Sequence, residues 1–188
     1  MTVTIEKPEV ITLLYKQEKG DEDYGSCLWA RFYLDTKNYT MSIESDCGNY
    51  LYGWAPTPNS ESFLQLLARM DAEYLLGKIS QTTVIDGTAT AEEMLKLIKE
   101  VAYVKCIELD EFDLQQITDA CYHHRDERDL VDAVLDAVIP TEVRNALEID
   151  TYCMYSAVEK DYPAGAKKIT EVFKNCIRPF IKSMEEKL

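Results

Sequence analysis

Four stretches of the chain, residues 10–16, 27–34, 39–45 and 49–54, alternate apolar with polar side chains. A period of two marks a strand with one buried face, and their β-branched and aromatic content supports that reading. Short turns follow two of the stretches: LDTKNY, and DCGN, in which Gly48 can take a positive φ. Taking Cys47-Gly48 as a two-residue loop sets Ser45 opposite Tyr50, Ile43 opposite Tyr52 and Met41 opposite Trp54. Taking DTKN as the loop before it sets Leu34, Phe32, Ala30 and Leu28 opposite Tyr39, Met41, Ile43 and Ser45. Cross-strand partners share a face. Two independent turns therefore predict the same apolar face, and a one-residue slip in either would destroy the agreement. On this reading the aromatic-rich segment NYTMSIESDCGNYLYGW is the inside of an antiparallel meander, not a ligand platform.

The opposite face would carry Trp29, Tyr33, Arg31, Cys27, Thr40, Ser42, Glu44 and Leu51. Either the C-terminal helices cover Trp29 and Tyr33, or these two join a partner-binding surface, where Trp, Tyr and Arg are the usual anchors. The first is preferred, because an open pair of large aromatics is a liability.

After APTPN the period changes to that of helices. Phe63, Leu67, Met70, Tyr74 and Leu75 recur at helical spacing, predicting one helix that packs on the apolar sheet face. Thr90 and Glu93 form a capping box for a helix ending near Val104. Further helical patterns cover 110–123, 126–138, 141–155 and 164–186, with Pro179 expected to kink or shorten the last. The predicted class is α+β: a meander of about four strands packed by a helix, then a helical C-terminal region. A boundary near 82 would separate residues 1–82 from 83–188, although one continuous domain is also compatible.

The chain has 188 residues, 46% of them hydrophobic, enough for a real core. It contains no run of about 18 apolar residues, and its first ten residues lack a signal-peptide centre. A cytoplasmic protein with no membrane association is expected. The six cysteines include no CxxC pair and are read as reduced, mostly buried thiols.

Catalytic signatures are sparse. The two histidines, His123 and His124, are adjacent and would diverge by about 100° on a helix. Cys121 accompanies them without paired metal-ligand spacing or an oxyanion loop. DEDYG resembles the start of a calcium loop, but the twelfth position is Phe32 where a bidentate Glu is needed. No GxGxxG, GxxxxGK[ST] or HExxH sequence occurs. No catalytic residue, cofactor or metal site is expected, and an enzyme with an unrecognised carboxylate site is the remaining catalytic alternative.

The charge is the distinctive feature. The net value is −14, which disfavours direct binding to naked nucleic acid. Residues 107–140 hold ten acids against two bases. Asp129, Asp132 and Asp136 fall on one helical face at i, i+3 and i+7, opposite Leu130, Val131, Val134, Leu135 and Val138. Such a run serves either to solubilise a helix face or to occupy a basic groove on another protein. Asp110, Glu111, Asp113, Asp126, Glu127, Asp129, Asp132 and Asp136 are the candidate contacts for the second role.

Residues 24–80, beginning YGSCLWARFYLDTKNYTMSIESDCGNYLYGWAPTPN, resemble a segment of Firmicute prophage proteins, some of them type II anti-CRISPR proteins. The resemblance covers under a third of the chain and includes no motif of known chemistry. It implies a non-enzymatic inhibitor whose partner is a CRISPR effector nuclease with its guide RNA, blocked in target-DNA binding or cleavage. Such nucleases hold nucleic acid in positively charged channels, where a carboxylate array could compete through charge-assisted hydrogen bonds. The alternative is a prophage accessory or regulatory interaction module with no nuclease target. A homodimer is compatible with either.

Overall fold

The computed structural model describes residues 3–5, 7–21, 23–56, 61–138 and 140–185. It has the expected α+β class. Strands β1 (Val10–Lys16), β2 (Trp29–Asp35), β3 (Thr40–Ser45) and β4 (Tyr50–Gly53) form one antiparallel sheet in chain order. Ala30, Phe32, Leu34, Met41 and Ile43 point to its buried side, as the alternation predicts.

Both hairpin registers differ from the sequence expectation by two residues. Ile43 pairs with Tyr50 and Met41 with Tyr52, while Leu34 pairs with Met41 and Phe32 with Ile43. In the second hairpin the Gly48 N–H donates to the Ser45 carbonyl at 3.4 Å, so the chain reverses at Asp46-Cys47 and Gly48 follows at φ +117°. In the first, the Asp35 carboxylate accepts from the backbone N–H groups of Lys37 and Asn38, at 3.1 and 3.0 Å, and holds the turn one residue later than expected. Two is also the side-chain period of a strand, so both shifts leave every residue on its expected face. Cys27 and Leu28 are the exceptions. Both precede β2 rather than belonging to it: Cys27 is fully buried in the core, and Leu28, expected on the apolar face, is exposed.

The chain divides into two compact units, Met1–Gln81 with Tyr162–Leu188, and Thr82–Asp161. The sequence had suggested keeping all of 83–188 together. The C-terminal segment returns to the first unit because its apolar stripe, Ile169, Val172, Phe173, Ile177 and Ile181, completes the core beneath the sheet. The rings of Phe32 and Phe173 lie 6.4 Å apart. The C-terminal helices thus cover the Phe32 face and leave Trp29 and Tyr33 on the other side of the sheet, contrary to expectation.

The rest of the first unit's core comes from α1 (Phe63–Arg69) and α2 (Ala72–Ile79). The single helix predicted here is broken by Asp71, whose side chain caps α2 by accepting from the Glu73 and Tyr74 N–H groups.

The second unit closes on itself. Strands β5 (Val84–Ile85) and β6 (Lys160–Asp161) pair antiparallel and tie its two ends together. Between them run α3 (Gly87–Val104), α4 (Glu111–His123), α5 (Glu127–Ala137), α6 (Thr141–Ile149) and α7 (Thr151–Ser156), around a core that includes Met94, Ile98, Ile117, Leu130, Val134 and Met154. The helix expected over 141–155 is interrupted at Asp150. Asp86, not Thr90, caps α3. Thr90 is instead buried, and its hydroxyl both donates to the Glu159 carbonyl and accepts from the Glu159 N–H.

Helices α8 (Ala164–Val172) and α9 (Arg178–Glu185) then complete the first unit, joined by a π-helical turn over Phe173–Ile177. Pro179 lacks an N–H, and in an α-helix its ring would meet the carbonyl four residues earlier. A wider π turn relieves that clash, so the helix runs on past Pro179 to Glu185, where a kink or an early end was expected. Among the described residues no helix is long and apolar enough to cross a membrane.

Candidate functional site

Charge is segregated between the units. Thr82–Asp161 contains nineteen acids and seven bases, a net of −12, and the other unit is left with only −2. The acidic character belongs to a folded body and not to a tail.

Within that body, amphipathic packing aims the carboxylates outward. Helix α5 buries Leu130, Val131, Val134 and Leu135, which forces Asp129, Asp132 and Asp136 onto its exposed side. Asp136 retains 74% of its side-chain exposure.

The eight acids singled out in the sequence do not behave alike. Asp110 and Asp113 form a reciprocal capping box at the start of α4, and Asp113 is buried. Asp126 caps α5 by accepting from the N–H groups of Arg128 and Asp129, at 2.9 and 3.3 Å. Three others have cationic neighbours: Glu127 pairs with Lys160, Asp136 with Arg144 at 2.7 Å, and Asp132 loosely with Arg128 at 3.9 Å. Glu148 and Asp136 together raise the pKa of the Arg144 guanidinium. Glu111 and Asp129 have no ion-pair partner among the described residues.

The structure adds residues that the sequence reading missed. The corner between α3 and α4 exposes Tyr103, Val104 and Phe112, interleaved with Glu108, Asp110 and Glu111. An exposed apolar group amid carboxylates can anchor a partner that the charge attracts. The signal was present: Phe112 lies off the stripe of Asp113, Ile117 and Cys121 that α4 buries. The corner itself is strained. Cys106 sits at φ +56° while its N–H donates to the Tyr103 carbonyl and that of Ile107 to the Ala102 carbonyl, at 3.0 and 2.9 Å. This is a Schellman stop in which cysteine occupies the position usually given to glycine.

Trp29 and Tyr33 lie in the other unit, on the sheet's second face, and both are half-buried. The Tyr33 hydroxyl accepts from Arg31 at 3.2 Å and donates to Glu44 at 3.2 Å, which fixes its ring in a polar network. Leu14 and Leu51 on that face are exposed, the latter by 65%. His123 occupies the last turn of α4, a position that suits a histidine, and His124 caps it.

The cysteines are less buried than expected. All six are free thiols, but only Cys27 and Cys121 are buried.

No curated protein and no solved structure matches the chain. The family model Phage_phiTE_072, described as a phage family, matches residues 3–183, which is nearly the whole chain and spans both units. The chain belongs to this phage protein family.

Proposed function

We propose that the protein is a non-enzymatic, phage-encoded inhibitor that lays its acidic unit on a basic, nucleic-acid-binding groove of a host protein. The partner favoured by the resemblance over residues 24–80 is the guide-loaded nuclease of a type II CRISPR system, and the protein blocks its target-DNA binding or cleavage. It acts in the cytoplasm of the infected or lysogenic host, without touching naked DNA.

The observation that carries this reading is the concentration of charge: a net of −12 on one eighty-residue folded unit. A field of that sign steers a cationic surface into contact and raises the association rate. Carboxylates can replace phosphates at arginine side chains through charge-assisted hydrogen bonds. The α3–α4 corner supplies apolar anchors that a purely solubilising surface would not need.

The test is a cleavage assay with purified guide-loaded nuclease, with the protein added before or after target DNA. Inhibition only on addition before DNA is expected of a competitor for the nucleic-acid channel. Absence of inhibition in both orders would favour the alternative, an accessory or regulatory interaction module with no nuclease target.

A further inference from the structure

Cys27 meets the adjacent pair Asp46 and Cys47, well separated from it in the chain, at one end of the sheet. Cys27 lies just before β2, and Asp46 and Cys47 form the turn between β3 and β4. Their sulfur and carboxylate ligand atoms all lie within 4.8 Å of one another. We propose that Cys27, Asp46 and Cys47 form a binding site for a zinc ion, with two thiolates, one carboxylate and a water molecule as ligands.

The donor set suits the ion. Zinc takes thiolate and carboxylate ligands in tetrahedral geometry, with zinc–sulfur bonds of about 2.3 Å that set paired sulfurs about 3.8 Å apart. The present spacing, no more than 4.8 Å, exceeds that by at most about 1 Å.

The donors are also held by their surroundings. The Asp46 carboxylate accepts from the Leu28 and Trp29 N–H groups at 2.9 and 3.4 Å, which aims it at the segment bearing Cys27. The Tyr50 hydroxyl donates to the Cys47 carbonyl at 2.9 Å. Gly165, in the first turn of α8, comes so close that a Cβ there would collide with that same carbonyl oxygen. These contacts fix the Asp46 carboxylate and the backbone that carries Cys47, while the Cys47 thiol itself donates to the Ser26 carbonyl at 3.1 Å, on the segment that leads into Cys27. Cys27 is buried, Cys47 half-buried and Asp46 exposed, so the site is shielded on one side and open to solvent on the other. Binding releases both thiol protons to solvent and involves no change of oxidation state. Spacing in the sequence gave no hint of the site, because eighteen residues lie between Cys27 and Asp46.

The full chain, reduced and stripped with a chelator, is titrated with Zn²⁺ against a chromophoric competitor, and with Co²⁺ by absorption. The expected result is one equivalent per chain, with thiolate-to-cobalt charge-transfer bands. Cys47→Ser and Asp46→Asn each remove a direct ligand, and each should weaken binding by at least about tenfold, the least that loss of an outer contact costs. The double variant of the exposed thiols, Cys106→Ser with Cys176→Ser, should bind as the parent does. X-ray absorption on the unaltered protein needs no variant and should give two sulfur and two light-atom neighbours. A zinc shell without sulfur, or affinity that survives Cys47→Ser and falls in the double variant, would overturn the assignment.

Discussion

Arg144 of α6 donates to the Asp136 carboxylate at 2.7 Å and to Glu148 at 2.9 Å, so one cation of the acidic unit is shared between two acids on adjacent helices. The pairing partly neutralises the exposed face of α5. Arg144→Ala should therefore increase the negative field there. Exposed ion pairs contribute little to stability, so a loss of no more than about 1 kcal/mol is expected in chemical unfolding. Association with a basic partner should become faster at low salt, and the gain should shrink as ionic strength rises. Slower association on loss of this positive charge would count against electrostatic recognition.

Cys106 holds a backbone conformation that suits glycine better, since a Cβ in the left-handed region is strained by about 1–2 kcal/mol. Glycine costs roughly 0.5–1 kcal/mol more chain entropy on folding than a residue with a side chain. Cys106→Gly should accordingly raise stability by up to about 1 kcal/mol, seen as a higher urea midpoint with an unchanged slope. A large destabilisation would mean that the thiol makes a contact the fold depends on.

Phe173 is fully buried and packs against Phe32, joining the C-terminal helices to the sheet. Phe173→Ala should cost about 3–5 kcal/mol through lost burial and the cavity left behind. The loss should fall on Met1–Gln81 with Tyr162–Leu188, and hydrogen exchange resolved by segment would show β2 and α8 losing protection while α4 and α5 keep theirs. Uniform loss throughout the chain would instead indicate that the two units fold as one.

Burial pushes the Cys121 thiol up to about 11 from an ordinary value of 9.0. The folded unit thus favours the protonated thiol. Its contribution to stability is complete below pH 9.0, declines as pH rises, and is gone above about 11. A shift of this size corresponds to roughly 2–3 kcal/mol. Chemical unfolding across that interval should show a loss of this order in the parent that is absent from Cys121→Ala. Parallel decline in both proteins would mean that other groups cause it.

The faces of the sheet were legible in the sequence because alternation has a period of two, and even a misplaced turn preserved them. Individual register was not, since the Asp35 side-chain contacts and the Ser45 carbonyl decided where each turn fell. The stripe from Ile169 to Ile181 could be read as one buried helix face, but periodicity does not say what buries it. The destination of the C-terminal helices was therefore missed. Acidic density was equally plain, whereas Lys160 and Arg144, which pair with two of the acids, come from outside the dense segment and meet it only through the fold.

Charge reversal on α5 decides whether its exposed acids engage a cationic partner. The triple variant Asp129→Lys, Asp132→Lys and Asp136→Lys alters only exposed side chains, and circular dichroism should confirm an unchanged helix content. Inhibition of target-DNA cleavage by the guide-loaded nuclease is then compared for parent and variant over a range of salt concentrations. The parent should inhibit, more strongly at low salt, and the folded variant should lose at least about tenfold in potency. Equal potency of the two proteins, independent of salt, would contradict that engagement.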